Sequence, residues 1–319
     1  MERVAGGSDG GGGVGFVNRL VRALLALAAV AVWAAAIAGG IWYGAHPETA
    51  ASLLNRLPTT DAVVVFVDFG ALRRAGILDR LENSKVAEEA EYREFARQID
   101  FDYRKDLDSA VLAVAPTGRY LLVRGRFNWR RLRRYVASQS GRCDGSLCRM
   151  QGSTPERRIS FFPIESDLMA LAVSPDDSAV LRLSASPEAA DSHIPEGPLW
   201  VSIPPPVLQS SESLPAETRT FARTLARAES VVLSFDAEAG RFAANLSVRC
   251  RGSQDAADLA AELTQLTATL RQTFASENQK PNPADLTGVL AGGSFRTDGA
   301  RVLGYWPIEP AFVGNLLGG

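Results

Sequence analysis

The hydrophobic positions of this chain form one long unbroken run followed by many short alternating ones. Between Arg22 and His46, twenty-three residues carry no ionisable side chain other than Tyr43. At about 1.5 Å of rise per residue, a helix over 23–45 covers the roughly 30 Å hydrocarbon core of a bilayer. Trp42 and Tyr43 end it with amphipathic rings suited to the headgroup level. Arg3, Arg19 and Arg22 precede the run, and no Arg follows until Arg56. This predicts a single-pass inner-membrane protein of a bacterium, with 1–22 as a cytoplasmic Gly-rich tail and the remainder periplasmic. The competing reading is a cleaved secretory signal with Ala36-Ile37-Ala38 as its cleavage site. Against it, the apolar run continues past that site to the aromatic pair, and the leader is long. No Cys lies in or just after the span, so a lipoprotein anchor is not expected.

Past the span the pattern changes to short runs of period two. In 241–250, Phe242, Ala244, Leu246, Val248 and Cys250 alternate with Arg241, Asn245, Ser247 and Arg249, which predicts a strand with one dry face. Opening strands are predicted over 62–68 and 199–203, and hairpins over 110–125 and 230–250. A helix follows each hairpin, over 129–138 with Asn128 as its cap and over 256–274 with Ser253 as its cap. Phe95-Ala96-Arg97-Gln98 is matched by Phe221-Ala222-Arg223-Thr224, and Arg158-Ile159-Ser160-Phe161-Phe162-Pro163-Ile164-Glu165 by Arg301-Val302-Leu303-Gly304-Tyr305-Trp306-Pro307-Ile308-Glu309. The first copy adds a strand over 168–173 and a helix near 176–184. The order β, α, β, β, α and closing hairpin thus occurs twice. The expected fold is α+β, with an N-terminal transmembrane helix followed by two repeated split-βαβ-like units with antiparallel sheets, at 46–190 and 191–319. The link over 186–206 holds Pro187, Pro195, Pro198, Pro204, Pro205 and Pro206, a stiff connector expected to be non-helical.

The run Leu53-Leu54-Asn55-Arg56-Leu57-Pro58, followed by Asp61-Ala62-Val63-Val64-Val65-Phe66-Val67-Asp68, resembles the start of the ectodomain in a group of uncharacterised bacterial single-pass membrane-anchored proteins. Those proteins have duplicated α+β ectodomains. The resemblance covers about the first third of the ectodomain and implies the architecture, with no particular activity.

Composition alters this picture little. A net charge of −2 and a hydrophobic fraction of 46% fit an ordinary globular protein rather than a disordered or polyanion-coating one. The distribution of charge says more. Arg119, Arg124, Arg126, Arg130, Arg131, Arg133 and Arg134 follow one another with no acid between them, while 79–108 carries ten acidic against six basic residues. Trp129, Leu132 and Val136 have core-facing helical spacing, which leaves Arg130, Arg131, Arg133 and Arg134 on the outer surface. Either the two charge blocks pair or are solvated, or the arginines bind anionic lipid headgroups or another envelope polyanion. Nucleic acid is not expected, because the surface lies outside the cell and no recognition motif accompanies it.

Cys143 and Cys148 bracket Asp144-Gly145-Ser146-Leu147, and Asp-Gly is a strong turn signal. In an oxidising compartment this predicts a disulfide, with two free thiols or an incomplete redox or metal site as the alternatives. Cys250, on the apolar side of its strand, reads as a small buried hydrophobe. His46 and His193 sit in no metal-ligand spacing, and Gly292-Gly293-Ser294 lacks the second flank of a nucleophile elbow. No metal, cofactor or catalytic residue is expected, although paired carboxylates distant in sequence remain open. Asp61, Asp68, Glu165 and Glu309 read first as caps or turns. Two function classes follow. The first is a non-enzymatic membrane-tethered scaffold or binding module that meets an envelope protein, with Phe161, Phe162, Tyr305 and Trp306 either in contact with it or in the core. The second is an envelope enzyme or a ligand or lipid carrier with a cleft between the repeats. The thin catalytic signal leans away from an enzyme.

Overall fold

The computed structural model describes residues 53–80, 90–152, 154, 157–184, 195, 197–209, 216–238, 241–309 and 311–312. The span over 23–45, its flanks and both histidines lie outside the described residues. Among the described residues no helix is long and apolar enough to cross a membrane. The strands in chain order are β1 (Val63–Asp68), β2 (Leu107–Ala115), β3 (Gly118–Gly125), β4 (Arg142–Asp144), β5 (Leu147–Gln151), β6 (Arg158–Pro163), β7 (Leu168–Ser174), β8 (Leu199–Ile203), β9 (Ser230–Glu238), β10 (Arg241–Arg249), β11 (Ser294–Asp298) and β12 (Arg301–Ile308). The helices are α1 (Phe69–Arg74), α2 (Ile77–Arg80), α3 (Ala90–Ile99), α4 (Tyr103–Asp106), α5 (Trp129–Ser138), α6 (Pro205–Gln209), α7 (Ala216–Leu225), α8 (Ser253–Ser276) and α9 (Leu286–Ala291).

The strands form one 12-stranded sheet in the order β11-β12-β10-β9-β8-β1-β2-β3-β7-β6-β5-β4. Each neighbouring pair is antiparallel. The fold class is therefore α+β, as the alternation predicts, but separate split-βαβ sheets are replaced by a continuous one. The physical reason lies after β1, where α1 to α4 return the chain to the edge of β1 in the opposite direction. Strands β2 and β3 then add one beside the other, the connection through α5 crosses to the far edge, β4, β5, β6 and β7 return from there to β3, and the main chains of β1 and β8 pair at the centre. From that pair outward the halves run β1-β2-β3-β7-β6 and β8-β9-β10-β12-β11, with β4 and β5 as a further hairpin at one edge. The Pro-Ile-Glu echo does not follow this order: β12 lies directly beside β10, whereas β6 is separated from β3 by β7.

Both faces of the β1–β7 half are covered. Val64, Phe66, Val111, Ala113, Tyr120 and Leu122 pack with Leu53, Leu54 and Leu57 on one face, together with Ala179, Val180 and Leu183 of a 3₁₀ turn (Ala179–Ser184). Val65, Leu112, Leu121 and Val123 face the helices on the other. Burial on both faces explains the near-continuous apolar runs of β1 and β3. In the other half, Phe242, Ala244, Leu246 and Val248 are buried under α8, while Arg249, Arg296 and Tyr305 point to an open face. The single dry face expected for β10 holds there. Two local expectations need correction. Gly252 occupies the cap position of α8 without a side-chain hydrogen bond, and Ser253 is the first helical residue. The Pro-rich link is helical at its end, because α6 starts at Pro205, where a first-turn proline forfeits no intrahelical hydrogen bond.

Candidate functional site

The arginine-rich segment forms α5. Asn128 begins it as expected, its Oδ1 accepting from the Arg131 backbone N–H at 3.1 Å. The buried side carries Leu132, Tyr135 and Val136. Val136 packs with Cys148, Ile159, Phe161 and Val173 on the sheet, and Tyr135 meets Phe95 of α3 edge-to-face, with ring centroids 5.0 Å apart. Trp129 Nε1 donates to the Ser166 carbonyl at 3.0 Å, tying the first turn to the β6–β7 connection. At the other end Ser140 adopts φ 58, a left-handed conformation that turns the chain from α5 towards β4.

Beneath α5, Cys143 and Cys148 are opposite each other across β4 and β5, with Cα atoms 4.0 Å apart, and their sulfurs are joined. Cys148 lies in the same cluster as Val136, so the disulfide closes the hairpin that supports the helix.

The arginines divide into paired and unpaired groups. Arg124 binds Asp167 at 2.6 Å and approaches Glu165 at 3.6 Å; Arg126 meets Asp106 at 3.1 Å; Arg131 meets Asp100 at 3.4 Å. Asp100 and Asp106 belong to the acidic block, so part of the run is balanced by it. Arg119 is half-buried, and burial pushes its guanidinium pKa down, with nearby Arg157 adding to the effect. Arg130, Arg133 and Arg134 are exposed and make no ion pair with a described residue. Their i, i+3, i+4 spacing puts them on one strip of the helix surface, away from the buried side. Exposed Arg93 and Arg97 lie on neighbouring α3, where Arg97 is held by Glu94 at 2.6 Å.

The other candidates separate. Phe161, Phe162 and Trp306 are buried at 5%, 9% and 6% exposure and belong to the core; Tyr305 alone of the four is open, at 45%. Alternation decides this, since Tyr305 and Trp306 point to opposite faces and both faces around Phe161 and Phe162 are covered. Asp68 caps α1, its Oδ1 accepting from the Ala71 N–H at 2.7 Å. Cys250 is buried, and its thiol pKa is pushed up by that burial and by the charges of Asp255 and Glu229. It borders a cavity of about 110 Å³ lined also by Arg227, Arg251, Asp255 and Asp258. That is well below the roughly 300 Å³ at which ligand pockets begin. Among the described residues no group of three or more His, Cys, Asp or Glu could hold a metal ion.

No family model and no curated protein sequence matches the chain. Among solved structures it is similar to crystal form IV of TP0453, at 8% identity and a TM-score of 0.45, covering 86% of this chain and 99% of that one. Crystal form I matches at 11% identity and a TM-score of 0.46, over 83% of this chain and 96% of that one. Crystal form III matches at 8% identity and a TM-score of 0.46, over 82% and 96% respectively. Likenesses this distant say nothing of what this chain binds.

Proposed function

We propose that this chain is a non-enzymatic binding module of the cell envelope, held to the inner membrane by the span over 23–45, with its folded part in the periplasm. Its contact surface is the outer strip of α5. The observation that carries this reading is the trio Arg130, Arg133 and Arg134, exposed on one helix face without an ion-pair partner among the described residues. Like charges at i, i+4 cost a few tenths of a kcal/mol in the free chain, which an anionic partner relieves. The helix is already locked by its cap, its buried side and the disulfide-closed hairpin, so binding orders little backbone.

The rival reading, an enzyme or carrier with a cleft between two halves, has less support. The halves meet through paired main chains, and Phe66 and Trp200 stack across that pair with centroids 5.5 Å apart. Such a junction is filled rather than grooved. The shared outward strand order supports a duplicated unit, with β7 matched to β12, β6 to β11, and the β4–β5 hairpin as an insertion. Photo-crosslinking in intact cells from position 137, exposed on the same helix, tests the function: a specific adduct is expected, and none at comparable expression refutes it. A reporter enzyme that works only outside the cytoplasm, fused after Gly319, should be active. A stable but inactive fusion defeats the orientation.

A further inference from the structure

We infer that the α5 arginine strip docks on the phosphate groups of an anionic phospholipid surface in trans, opposite the membrane that holds the span. This commits the tethered-module reading above to one partner and one direction. Side chains alternate across a strand, so Phe161 and Val173 point to one face of the sheet and Phe162 and Ala172 to the other. Val136 of α5 packs with the first pair, whereas Leu53, where the described chain begins, packs in the cluster of the second. The helix and the tethered end therefore lie on opposite faces.

The length of the tether decides which membrane α5 can reach. Residues 46–52 join Ala45 to Leu53 and cover at most about 29 Å when fully extended. A bilayer lying against α5 is about 25 Å from the N-terminal layer, allowing about 10 Å for each layer packed on the sheet and about 5 Å for the helix radius. The chain cannot pass through the sheet, and the detour around a strand end or edge adds about 10 to 20 Å. The tether falls short of that path by roughly 10 Å. Lying flat on its own membrane is thus closed to α5, and its outer face looks away from it.

The chemistry of the strip selects phosphate. Guanidinium groups pair bidentately with phosphate oxygens, and Arg130, Arg133 and Arg134 make no ion pair among the described residues, while Arg131 is engaged by Asp100. The strip offers no apolar anchor: Leu132, Tyr135 and Val136 face the core. A protein partner ordinarily needs buried aromatic or aliphatic anchors at the centre of its contact, whereas a laterally mobile charged surface needs charge alone.

The test uses the full chain reconstituted in dye-labelled phosphatidylcholine donor vesicles, mixed with acceptor vesicles containing phosphatidylglycerol or phosphatidylcholine only. Energy transfer between the two reads tethering. Acceptors with phosphatidylglycerol should be captured, less so at high salt, and the R130Q/R133Q/R134Q variant should lose about 100-fold in apparent affinity, at about a factor of five per arginine. The three side chains are exposed, so an unchanged thermal midpoint should show that the variant is folded. Equal capture by variant and wild type overturns the inference. So does capture of both acceptors alike, or competition by polyglutamate as effective as by phosphatidylglycerol vesicles, which would indicate an acidic protein. Binding only when phosphatidylglycerol is in the donor bilayer would place the strip on its own membrane and refute the direction. Release of the chain from donors by carbonate refutes the span and the trans geometry, while phosphatidylglycerol binding by the released chain still reads the strip.

Discussion

Removing the disulfide with C143A/C148A should loosen one corner of the molecule and leave the sheet centre intact. The cysteines are separated by 5 positions, so the bond closes a very short loop. Loop-closure entropy for that size corresponds to about 2 kcal/mol, at the low end for disulfides. The perturbation is local because β4 has three residues, lies at the sheet edge and pairs only with β5. Its other neighbour is α5, since Cys143 packs at the margin of the Val136 cluster. Cys148 is 1% exposed and packs under Val136, so lost support should spread to the last turn of α5, and no farther than β6. Hydrogen exchange followed by mass spectrometry, on wild type and variant without reductant, measures the opening free energy of each peptide. Peptides covering 142–151 and the end of α5 should lose about 2 kcal/mol, while β9 and β10 should be unchanged. A change below about 0.5 kcal/mol in the β4–β5 peptides, or an equal loss across β9 and β10, would refute the local-staple argument. Peptide mapping of wild type should also find Cys143 joined to Cys148 and Cys250 unlinked.

Three further outcomes are expected. A methyl group at Gly141 would lie 2.6 Å from the Arg149 carbonyl oxygen and 2.7 Å from Val136 Cγ1, so Gly141→Ala should cost about 1 to 3 kcal/mol in urea unfolding; no loss would mean that the turn yields easily. Trp200 is 1% exposed and its indole N–H meets no acceptor among the described residues, so Trp200→Phe, which removes that orphan, should cost far less than the about 3 to 5 kcal/mol of Trp200→Ala; equal costs in thermal unfolding would contradict this. Burial, then Asp255 and Glu229, raises the Cys250 thiol pKa, so its contribution is complete below the unfolded value of about 8.5 and is lost as pH rises through the folded one. The stability advantage of wild type over Cys250→Ala should therefore shrink between neutral and alkaline pH, and an advantage that grows would reverse the sign.

What could be read along the chain is what local interactions govern. The cap at Asn128, the helix after it, the alternation in β10 and the nearness of Cys143 to Cys148 each depend on residues a few positions apart, and the structure places them as the pattern indicates. The split of α5 into a core side and an arginine side was equally legible, since helical spacing alone sets it. Sequence could also show that an acidic block lay upstream of the arginines. It could not show that Asp100 and Asp106 would reach Arg131 and Arg126 while Arg130, Arg133 and Arg134 would be left without an ion pair among the described residues, because those distances arise from the packing of α3 and α4. The Pro-Ile-Glu echo misled for a related reason: a shared motif describes how a strand ends, and its neighbour in the sheet is chosen by register across the fold. Burial of Phe161 and Phe162 likewise required the layers on both faces, which no period-two pattern can announce. Tertiary structure alone decided that the halves share one sheet and that α5 and Leu53, where the described chain begins, lie on opposite sides of it, because strand pairing and layer packing join residues far apart in the chain.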